Sequence, residues 1–412
     1  MADRVTVIGW DGSPPTEAAR SALGAATLVA GTRNHLALPF VPRDAERIVL
    51  GSIDLAARRI AGHRGTAVVL ADGDPGFFGV VRALRAPEYG LEVEVVPGVS
   101  SVAQAFARAG MAWDDARVVV AHERTLRRAV NVCRAYPKVA VLTAPGAGPA
   151  ELALLLGGVH RTFVICEALG TEQEQVTVLT SDKVADHTWR DPNVVLVVGG
   201  ITSSAPAVAG RSGWIAGRDP GFPGPVRGWA LPVEEYAMGP VRDVPEGGDS
   251  ASLRALQLAH LGPRTGDLVW DVGAGAAGGA AAVEAARFGA AVIAVDRDAD
   301  ACARIEASAR KFGVPVHILH GTAPQALEDL PEPDVVRLGG GCGADVVAAC
   351  VSRRPERIAA SAVNRDEAEA VSQALEDGGY TVGRVLLQAV ELGSDWAERE
   401  RAVVFALCGH RR

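Results

Sequence analysis

Glycine and aspartate residues around position 271 form a pattern that suits binding of a nucleotide-like ligand. A strand-like apolar stretch, 268–272, runs into the glycines Gly273 and Gly275 and then into a helical pattern. Such glycines let the backbone approach a ligand closely, and the helix that follows offers free amide donors. Asp296 ends the next strand-like stretch, where a carboxylate can accept hydrogen bonds from ribose hydroxyls. An ordinary turn between a strand and a helix is the alternative.

The nature of this nucleotide is constrained by three observations. Gly273, Gly275 and Gly278 satisfy the GxGxxG spacing of dinucleotide-binding proteins, so a dehydrogenase stays open on this motif alone. Asp271, however, precedes the first glycine, as in adenosylmethionine sites, where the acid approaches the cationic methionine moiety. No tyrosine–lysine or histidine–carboxylate pair follows that could move a hydride. The pattern therefore favours a methyl donor.

Three further glycine-rich turns follow strand-like stretches in the first half of the chain. They occupy residues 9–12, 71–76 and 96–101. Each comes at the carboxyl end of a strand, which is where open α/β sheets bind their ligands. Any one of them could be an ordinary turn, but three in this order predict a second ligand site.

The elements that must position these turns alternate between strand and helix. Before residue 200, strands are predicted at 5–9, 67–71, 92–96, 117–121, 139–142, 162–166 and 194–198, and helices at 16–23, 53–62, 99–109, 125–135 and 149–156. After residue 250, helices are predicted at 252–261, 277–287, 299–312 and 324–330, and strands at 268–272, 291–295, 316–320, 334–338, 357–362, 381–392 and 402–408. Alternation of this kind predicts an α/β fold with largely parallel sheets. The last two strands have only a loop between them, which is typical of class I methyltransferases.

Length and composition indicate more than one domain. Its 412 residues, 48% hydrophobic and 22% charged, are enough for two or three globular domains. Residues 199–248 are unusually rich in glycine and proline. We therefore predict two α/β domains, 1–200 and 249–412, joined by a linker at 201–248; within it, residues 231–238 are apolar enough to pack on a neighbour.

Charge and cysteine usage exclude several classes of function. The net charge of −8 provides no general attraction for nucleic acid, and no apolar stretch reaches the ~18–20 residues of a membrane span.

The six cysteines form no CxxC pair. His317 and His320 are spaced as HxxH, but in a strand they would point to opposite faces, so no metal is expected. We expect a reduced, soluble, cytoplasmic protein. Arginine accounts for 38 of the 41 basic residues. This excess over lysine fits two interpretations: codon bias, or binding of carboxylates by the guanidinium group.

The ordered turns resemble those of the tetrapyrrole (corrin/porphyrin) methylases. The matching segments are Gly9-x-Asp11-Gly12, Gly73-Asp74-Pro75 and Pro97-Gly98-Val99-Ser100-Ser101, and Arg33-Asn34-His35-Leu36-Ala37-Leu38 resembles the R-x-H-L-A-L segment of one branch. Together with the second half, the chain is similar to fused precorrin methyltransferases. The resemblance implies an N-terminal tetrapyrrole-methylase-like fold of two subdomains and a C-terminal class I Rossmann-like methyltransferase domain.

The resemblance also implies a reaction: methylation of a tetrapyrrole of the precorrin-6Y type at C-5 and C-15, with decarboxylation of the C-12 acetate arm, in cobalamin biosynthesis. Two S-adenosyl-L-methionine sites are implied, and homo-oligomers are common in the family. The implied cofactor-binding residues are Gly9, Asp11, Asp74, Ser100, Ser101, Thr143 and Ala144 in the first half, and Asp271, Gly273, Gly275, Asp296, Thr322 and Gly339 in the second. No side chain stands out as catalytic.

The second half departs from the family pattern at several positions. A Thr-Lys pair is absent from 246–254, Thr322 replaces an acid, the segment 361–364 reads Ser-Ala-Val-Asn, and Arg337 replaces an apolar residue. Arg337 could bind a substrate carboxylate or extend to solvent. Two alternatives to the bifunctional enzyme therefore stay open: a relative with one methylation only or another tetrapyrrole substrate, and a non-catalytic binding protein.

Overall fold

The computed structural model of this chain describes residues 4–199, 216–217, 226–236, 250–275 and 277–411. Three sheets organise these residues. The predicted division at 1–200, 201–248 and 249–412 stays a prediction, because most of its linker lies outside the described residues.

The first sheet is wholly parallel. Its strands are β1 (Val5–Trp10), β2 (Leu28–Gly31), β3 (Glu46–Val49), β4 (Ala67–Asp72) and β5 (Val93–Val96), in the order β3-β2-β4-β1-β5. The connecting helices are α1 (Glu17–Gly24), α2 (Arg33–Leu36), α3 (Ile53–Ala61), α4 (Val80–Leu84) and α5 (Ser101–Ala109). Because all five strands run the same way, their carboxyl ends share one edge, and the three glycine-rich turns meet there.

The second sheet is mixed. It contains β6 (Arg117–Val120), β7 (Lys138–Leu142), β8 (Thr162–Glu167), β9 (Gln175–Thr180) and β10 (Asn193–Val198), in the order β6-β7-β10-β8-β9, with helices α6 (Leu126–Ala135), α7 (Pro149–Leu156) and α8 (Ser181–Val184). Only β6 and β7 are parallel to each other. The expectation of largely parallel sheets is therefore wrong here, because a short connection lets β9 return beside β8 as an antiparallel neighbour.

The third sheet has seven strands. They are β11 (Leu268–Val272), β12 (Ala291–Asp296), β13 (His317–His320), β14 (Val335–Leu338), β15 (Arg357–Ala362), β16 (Tyr380–Leu392) and β17 (Glu398–Arg411), in the order β13-β12-β11-β14-β15-β17-β16. The helices are α9 (Ala251–Leu261), α10 (Ala280–Arg287), α11 (Ala299–Phe312), α12 (Ala344–Ser352) and α13 (Arg365–Asp377). β17 runs antiparallel to both neighbours, as the predicted terminal strand pair requires.

Several local predictions need correction. The helix predicted at 324–330 is only a 3-10 turn, Gln325–Leu327. The strands β2, β3 and β9 and the helices α2, α4, α8, α12 and α13 have no counterpart among the predicted elements. β3 has mostly exposed side chains and β9 alternates on a sheet edge, so neither shows a run of apolar residues.

A continuous apolar core joins the second and third sheets. Val132 of α6 and Tyr136, directly after it, belong to the same buried cluster as Trp270 and Ile293 of the third sheet. The described part of the apolar segment near residue 231 also packs, since Leu231 and Tyr236 are buried against the third sheet's helices. The second and third sheets therefore share one apolar core.

Candidate functional site

Three strand ends of the first sheet meet at Gly9. A Cβ added to this residue would lie 2.1 Å from the Gly73 carbonyl oxygen and 2.6 Å from the Gly98 nitrogen. Any side chain here would therefore force backbone apart. The turns after β1, β4 and β5 thus form one surface, although Gly9 is 64 positions from Gly73 and Gly73 is 25 positions from Gly98 in the sequence.

Asp11 ties this surface together. Its Oδ2 accepts a 2.8 Å hydrogen bond from the Val99 nitrogen, and its Oδ1 accepts from the Ser13 nitrogen at 3.0 Å. Burial raises the pKa of the Asp11 carboxyl, but the hydrogen bonds from Ser13 and Val99 outweigh burial, and the net pKa is lowered. Asp11 therefore stays ionised at neutral pH and holds the turn before α5.

A cavity of about 290 Å³ lies between the first and second sheets beside these turns. Five of the predicted residues line it: Asp11, Asp74, Ser100, Ser101 and Thr143. Gly9 is not among the lining residues. Pockets of about this size can hold small organic ligands, and the assignment of these residues to a cofactor stays a prediction.

Thr143 and Ala144 differ in their placement. The Thr143 hydroxyl lies 2.7 Å from Oδ1 and 2.8 Å from the backbone oxygen of Asn193, and Asn193 also lines the cavity. Ala144 pairs with Ala147 in the next turn and is not among the lining residues. The second sheet therefore contributes Thr143 and Asn193 to the cavity wall, rather than Ala144.

Among the lining side chains that the sequence did not identify are Trp10, Asp72, Phe77 and Phe78. Asp72 is directly before the glycine of a turn that was singled out, so its position was visible in the sequence. The two phenylalanines are exposed, with ring centroids 4.6 Å apart. Exposed adjacent rings gave no signal, because apolar residues in a loop resemble core residues in sequence. None of the arginines in the described ranges lines the cavity, so the cavity does not account for the arginine surplus there.

At the carboxyl ends of the third sheet's strands, the backbone packs as closely as it does around Gly9. A Cβ on Gly339 would lie 2.5 Å from the Gly273 carbonyl oxygen, and one on Gly275 would lie 2.2 Å from the Ala301 Cβ. Gly273 has a positive φ of 72°, which favours glycine. These three predicted residues thus bring β11, β14 and α11 together at one edge.

Asp296 is anchored beside this edge. Its Oδ2 accepts a 2.8 Å hydrogen bond from the Gly275 nitrogen, and its Oδ1 accepts one of 2.9 Å from the Asp298 nitrogen. The carboxylate is only partly buried. Because each carboxylate oxygen can accept more than one bond, Asp296 retains the capacity to accept ribose hydroxyls.

Asp271 faces Arg337 across two neighbouring strands. The two are register partners in β11 and β14, and Arg337 Nη1 donates to Asp271 Oδ1 at 2.9 Å. Arg337 Nε donates to Gln257 of α9 at 2.9 Å. Both charged side chains are buried. Arg337 therefore does not extend to solvent, and its guanidinium is engaged by Asp271 and Gln257 rather than held out for a substrate carboxylate.

Other positions around this edge have separate roles. Thr322 lies in the turn after β13 and is exposed. Glu367 of α13 accepts hydrogen bonds from the nitrogens of Gly341 and Val363, which fixes the glycine turn after β14. Burial raises the pKa of the nearby Cys342 thiol to about 11, so it is neutral at pH 7. The segment 246–249, where the family's Thr-Lys pair is absent, lies outside the described residues.

Within the described ranges, no three His, Cys, Asp or Glu side chains come together as metal ligands. None of the helices in these ranges is long and apolar enough to cross a membrane. His317 and His320 lie in β13, at opposite ends of a four-residue strand. The six cysteines are free thiols.

Comparison with known proteins matches both halves of the chain. Residues 13–185 match the family model of tetrapyrrole (corrin/porphyrin) methylases, and residues 249–405 match the precorrin methyltransferase domain. A precorrin-6Y C(5,15)-methyltransferase [decarboxylating] from a Sinorhizobium species is 31% identical over 87% of this chain and 84% of its own length. A protein with that name from Mycobacterium tuberculosis is 30% identical over 90% and 89%. The chain belongs to the decarboxylating precorrin-6Y C(5,15)-methyltransferase family.

Membership in the precorrin-6Y C(5,15)-methyltransferase family accounts for the order of the two folds. The tetrapyrrole methylase match falls on the first two sheets and the precorrin methyltransferase match on the third. A solved precorrin-6Y C5,15-methyltransferase structure from Geobacter metallireducens covers 45% of this chain and 98% of its own, with 23% identity and a TM-score of 0.41. Members of this family are adenosylmethionine-dependent methyltransferases, as the resemblance implied.

Proposed function

We propose that this protein transfers two methyl groups to one precorrin, to C-5 at the cleft between the first and second sheets and to C-15 at the carboxyl edge of the third sheet. Loss of carbon dioxide from the C-12 acetate arm accompanies the second transfer. The observation that carries the proposal is the presence in one chain of two separate glycine-built strand edges, at Gly9 and at Gly273. Each fits one S-adenosyl-L-methionine.

Bound adenosylmethionine supplies a methyl group already activated on a sulfonium, so the protein mainly has to align donor and acceptor. In the first cleft, Asp11 and the α5 cap residue Ser100 shape the wall. Thr143 and Asn193 close it from the second sheet. Gly9 and Gly73 let the turns of this wall pack backbone against backbone, which a Cβ at either residue would prevent.

At the second edge, Asp296 is the group we assign to the ribose. The position of Asp271 fits a different role from direct contact with the methionine moiety, because its charge is balanced by Arg337. Gly339 packs directly against the Gly273 carbonyl, which brings the ends of β11 and β14 together beside Asp296. Decarboxylation requires no nucleophilic side chain, because the conjugated ring accepts the electron pair that the departing carboxylate leaves.

Two measurements test the proposal. Calorimetric titration of the purified protein with adenosylmethionine should give two molecules bound per chain. Incubation with precorrin-6Y, followed by mass spectrometry, should show a gain of two methyl groups and a loss of one carbon dioxide.

Each contrary outcome selects an alternative. One bound adenosylmethionine and a single methyl with the carboxylate retained would indicate a single-activity relative. No binding and no mass change would indicate a non-catalytic protein. The variant Asp296→Ala should abolish C-15 methylation and leave C-5 methylation intact, whereas equal loss at both positions would contradict separable sites.

A further inference from the structure

Three carboxylates line the cleft of the first and second sheets, and their hydrogen bonds differ. Both oxygens of Asp11 accept backbone amides. Asp74 Oδ1 accepts the Gly76 nitrogen at 2.8 Å and closes its own turn. Asp72 Oδ1 accepts only from His35, and within the described residues its Oδ2 accepts no hydrogen bond. Asp74 Oδ2 likewise accepts no hydrogen bond within the described residues, so Asp72 is distinguished from Asp74 by the histidine that holds its other oxygen.

His35 holds Asp72 from a buried position. The His35 side chain is 1% exposed, whereas that of Asp72 is 60% exposed, and His35 Nε2 lies 2.9 Å from Asp72 Oδ1. The Nδ1 of His35 accepts the Thr32 nitrogen at 3.3 Å, within a capping box at the start of α2. Because Nδ1 is an acceptor, the proton of the neutral ring is on Nε2, which donates to Asp72.

The imidazole is fixed on its remaining sides. Trp10 packs edge-on against it with ring centroids 5.9 Å apart, and Trp10 also lines the cleft. A Cβ on Gly31 would lie 2.9 Å from the His35 Cβ, so β2 passes directly beside it. A buried polar ring with one hydrogen bond on each nitrogen has little rotational freedom. The carboxylate oxygen that it binds is held in place with it.

We propose that Asp72 is the general base of the first methylation and that His35 is its positioning residue. The proposal rests on the proposed function, because it assigns the fate of a proton in the C-5 reaction. Asp72 Oδ2 takes the proton from the macrocycle, and His35 keeps Oδ1 fixed so that Oδ2 faces the cleft.

The reaction then balances. Methyl transfer forms a carbon–carbon bond at C-5 and breaks the carbon–sulfur bond of the sulfonium, whose electron pair stays on sulfur. The macrocycle gains a positive charge. The C-5 carbon–hydrogen bond then breaks, its electron pair returns to the conjugated ring, and the proton moves to Asp72. Since the Asp72 side chain is more than half exposed, the proton passes on to water.

The surroundings of Asp72 suit the face of a flat conjugated ring. Phe77 and Phe78 follow it in the same turn region and line the same cleft with exposed rings. Aromatic faces of this kind stack on conjugated rings. A macrocycle held against them lies at the side of the cleft that carries Asp72, whereas Thr143 and Asn193 belong to the opposite sheet.

The test uses three variants of the full-length protein and follows each methylation separately by mass spectrometry. Asp72→Asn should lower kcat for C-5 methylation by about 100-fold or more, since general bases contribute about 10²–10⁴-fold. His35→Phe, which removes the donor, should lower it by roughly tenfold. His35→Gln, which can supply an N–H to Asp72, should restore most of that loss. The dissociation constant for adenosylmethionine and the C-15 methylation should stay unchanged.

A second measurement separates proton removal from a structural role. With substrate deuterated at C-5, His35→Phe should show a larger primary isotope effect on C-5 methylation than the native protein, because proton removal becomes slower. The matched control is His63→Gln. His63 also lies near a carboxylate, 3.9 Å from Glu46, but is packed against Thr27 outside the cleft, and its substitution should change neither rate nor isotope effect.

The outcomes separate this inference from the function on which it rests. A native protein that adds no methyl at C-5 would overturn the proposed function, and the role of Asp72 with it. A native protein that methylates C-5, together with an Asp72→Asn variant of undiminished kcat, would overturn the base alone. An unchanged isotope effect in His35→Phe, or a weakened adenosylmethionine affinity in both His35 variants, would reduce His35 to a structural residue.

Discussion

At the scale of single residues, the two halves use aspartate in opposite ways. Asp11 is held by backbone amides at the edge of a cavity, so its charge is available to shape a ligand site. Asp271 is buried and paired with Arg337, which neutralises its charge inside the sheet. The same residue type after a strand therefore gives a site residue in one case and a core ion pair in the other.

The buried pair gives the first prediction. Arg337→Met should destabilise the protein by about 3–5 kcal/mol, because it leaves a carboxylate buried without its guanidinium. Urea unfolding monitored by circular dichroism measures the change. The double variant Asp271→Leu with Arg337→Met should recover much of the loss, since an apolar pair of similar size removes both charges.

The control for this prediction is the exposed pair of Arg365 and Glu369 in α13. Arg365→Met should leave the unfolding curve nearly unchanged, because solvent already screens both charges. Equal destabilisation by Arg337→Met and Arg365→Met would show that burial does not decide the strength of the first pair.

At the scale of elements, the fit between β11, α11 and their turn depends on the absence of one side chain. Gly275→Ala would place a Cβ 2.2 Å from the Ala301 Cβ and 2.8 Å from Asp296 Oδ2. We predict a destabilisation of about 1–3 kcal/mol from this overpacking, measured by urea unfolding, together with weakened adenosylmethionine binding at the second edge.

Gly24→Ala is the matched control. Gly24 ends α1, and a Cβ there meets nothing within 4 Å. Because alanine favours helix over glycine, its substitution should leave stability unchanged or slightly raised. A Gly275→Ala variant as stable as Gly24→Ala would contradict the close approach of β11 and α11.

Much of the fold could be predicted at this scale. β11, β15, α7 and α11 have the expected bounds or nearly so, because their apolar residues repeat at strand or helix spacing. The antiparallel part of the second sheet could not be predicted, since pairing of β8, β9 and β10 depends on contacts distant in sequence. For the clefts, glycine turns were visible in sequence, whereas the partner of Asp271 became visible only when β14 was placed beside β11.

At the scale of the whole molecule, polar contacts of α6 fasten the second sheet to the third. Asn131 Nδ2 donates to the Gly266 carbonyl at 3.1 Å and lies 3.4 Å from Asp334 Oδ2. The Tyr136 hydroxyl lies 3.1 Å from Thr265 Oγ1. Since Asn131 is buried, its amide makes these bonds away from water, where an unmade bond is costly.

Asn131→Ala should therefore lower stability by about 1–3 kcal/mol. Differential scanning calorimetry should show the unfolding endotherm broadening or splitting, as the two halves lose their coupling. The control Gln373→Ala removes an exposed side-chain hydrogen bond to Asp377 in α13 and should leave a single unchanged endotherm. A split endotherm already present in the native protein would contradict strong coupling through α6.

The shared core around α6 has a consequence for gene architecture. If this protein were divided into two polypeptides between the second and third sheets, each fragment would expose apolar surface that is now covered, around Tyr136 on one and Trp270 or Ile293 on the other. Such fragments would adhere to each other or precipitate, unless polar residues replaced that surface. The fusion therefore does more than keep two domains in proximity, because each half covers apolar surface of the other.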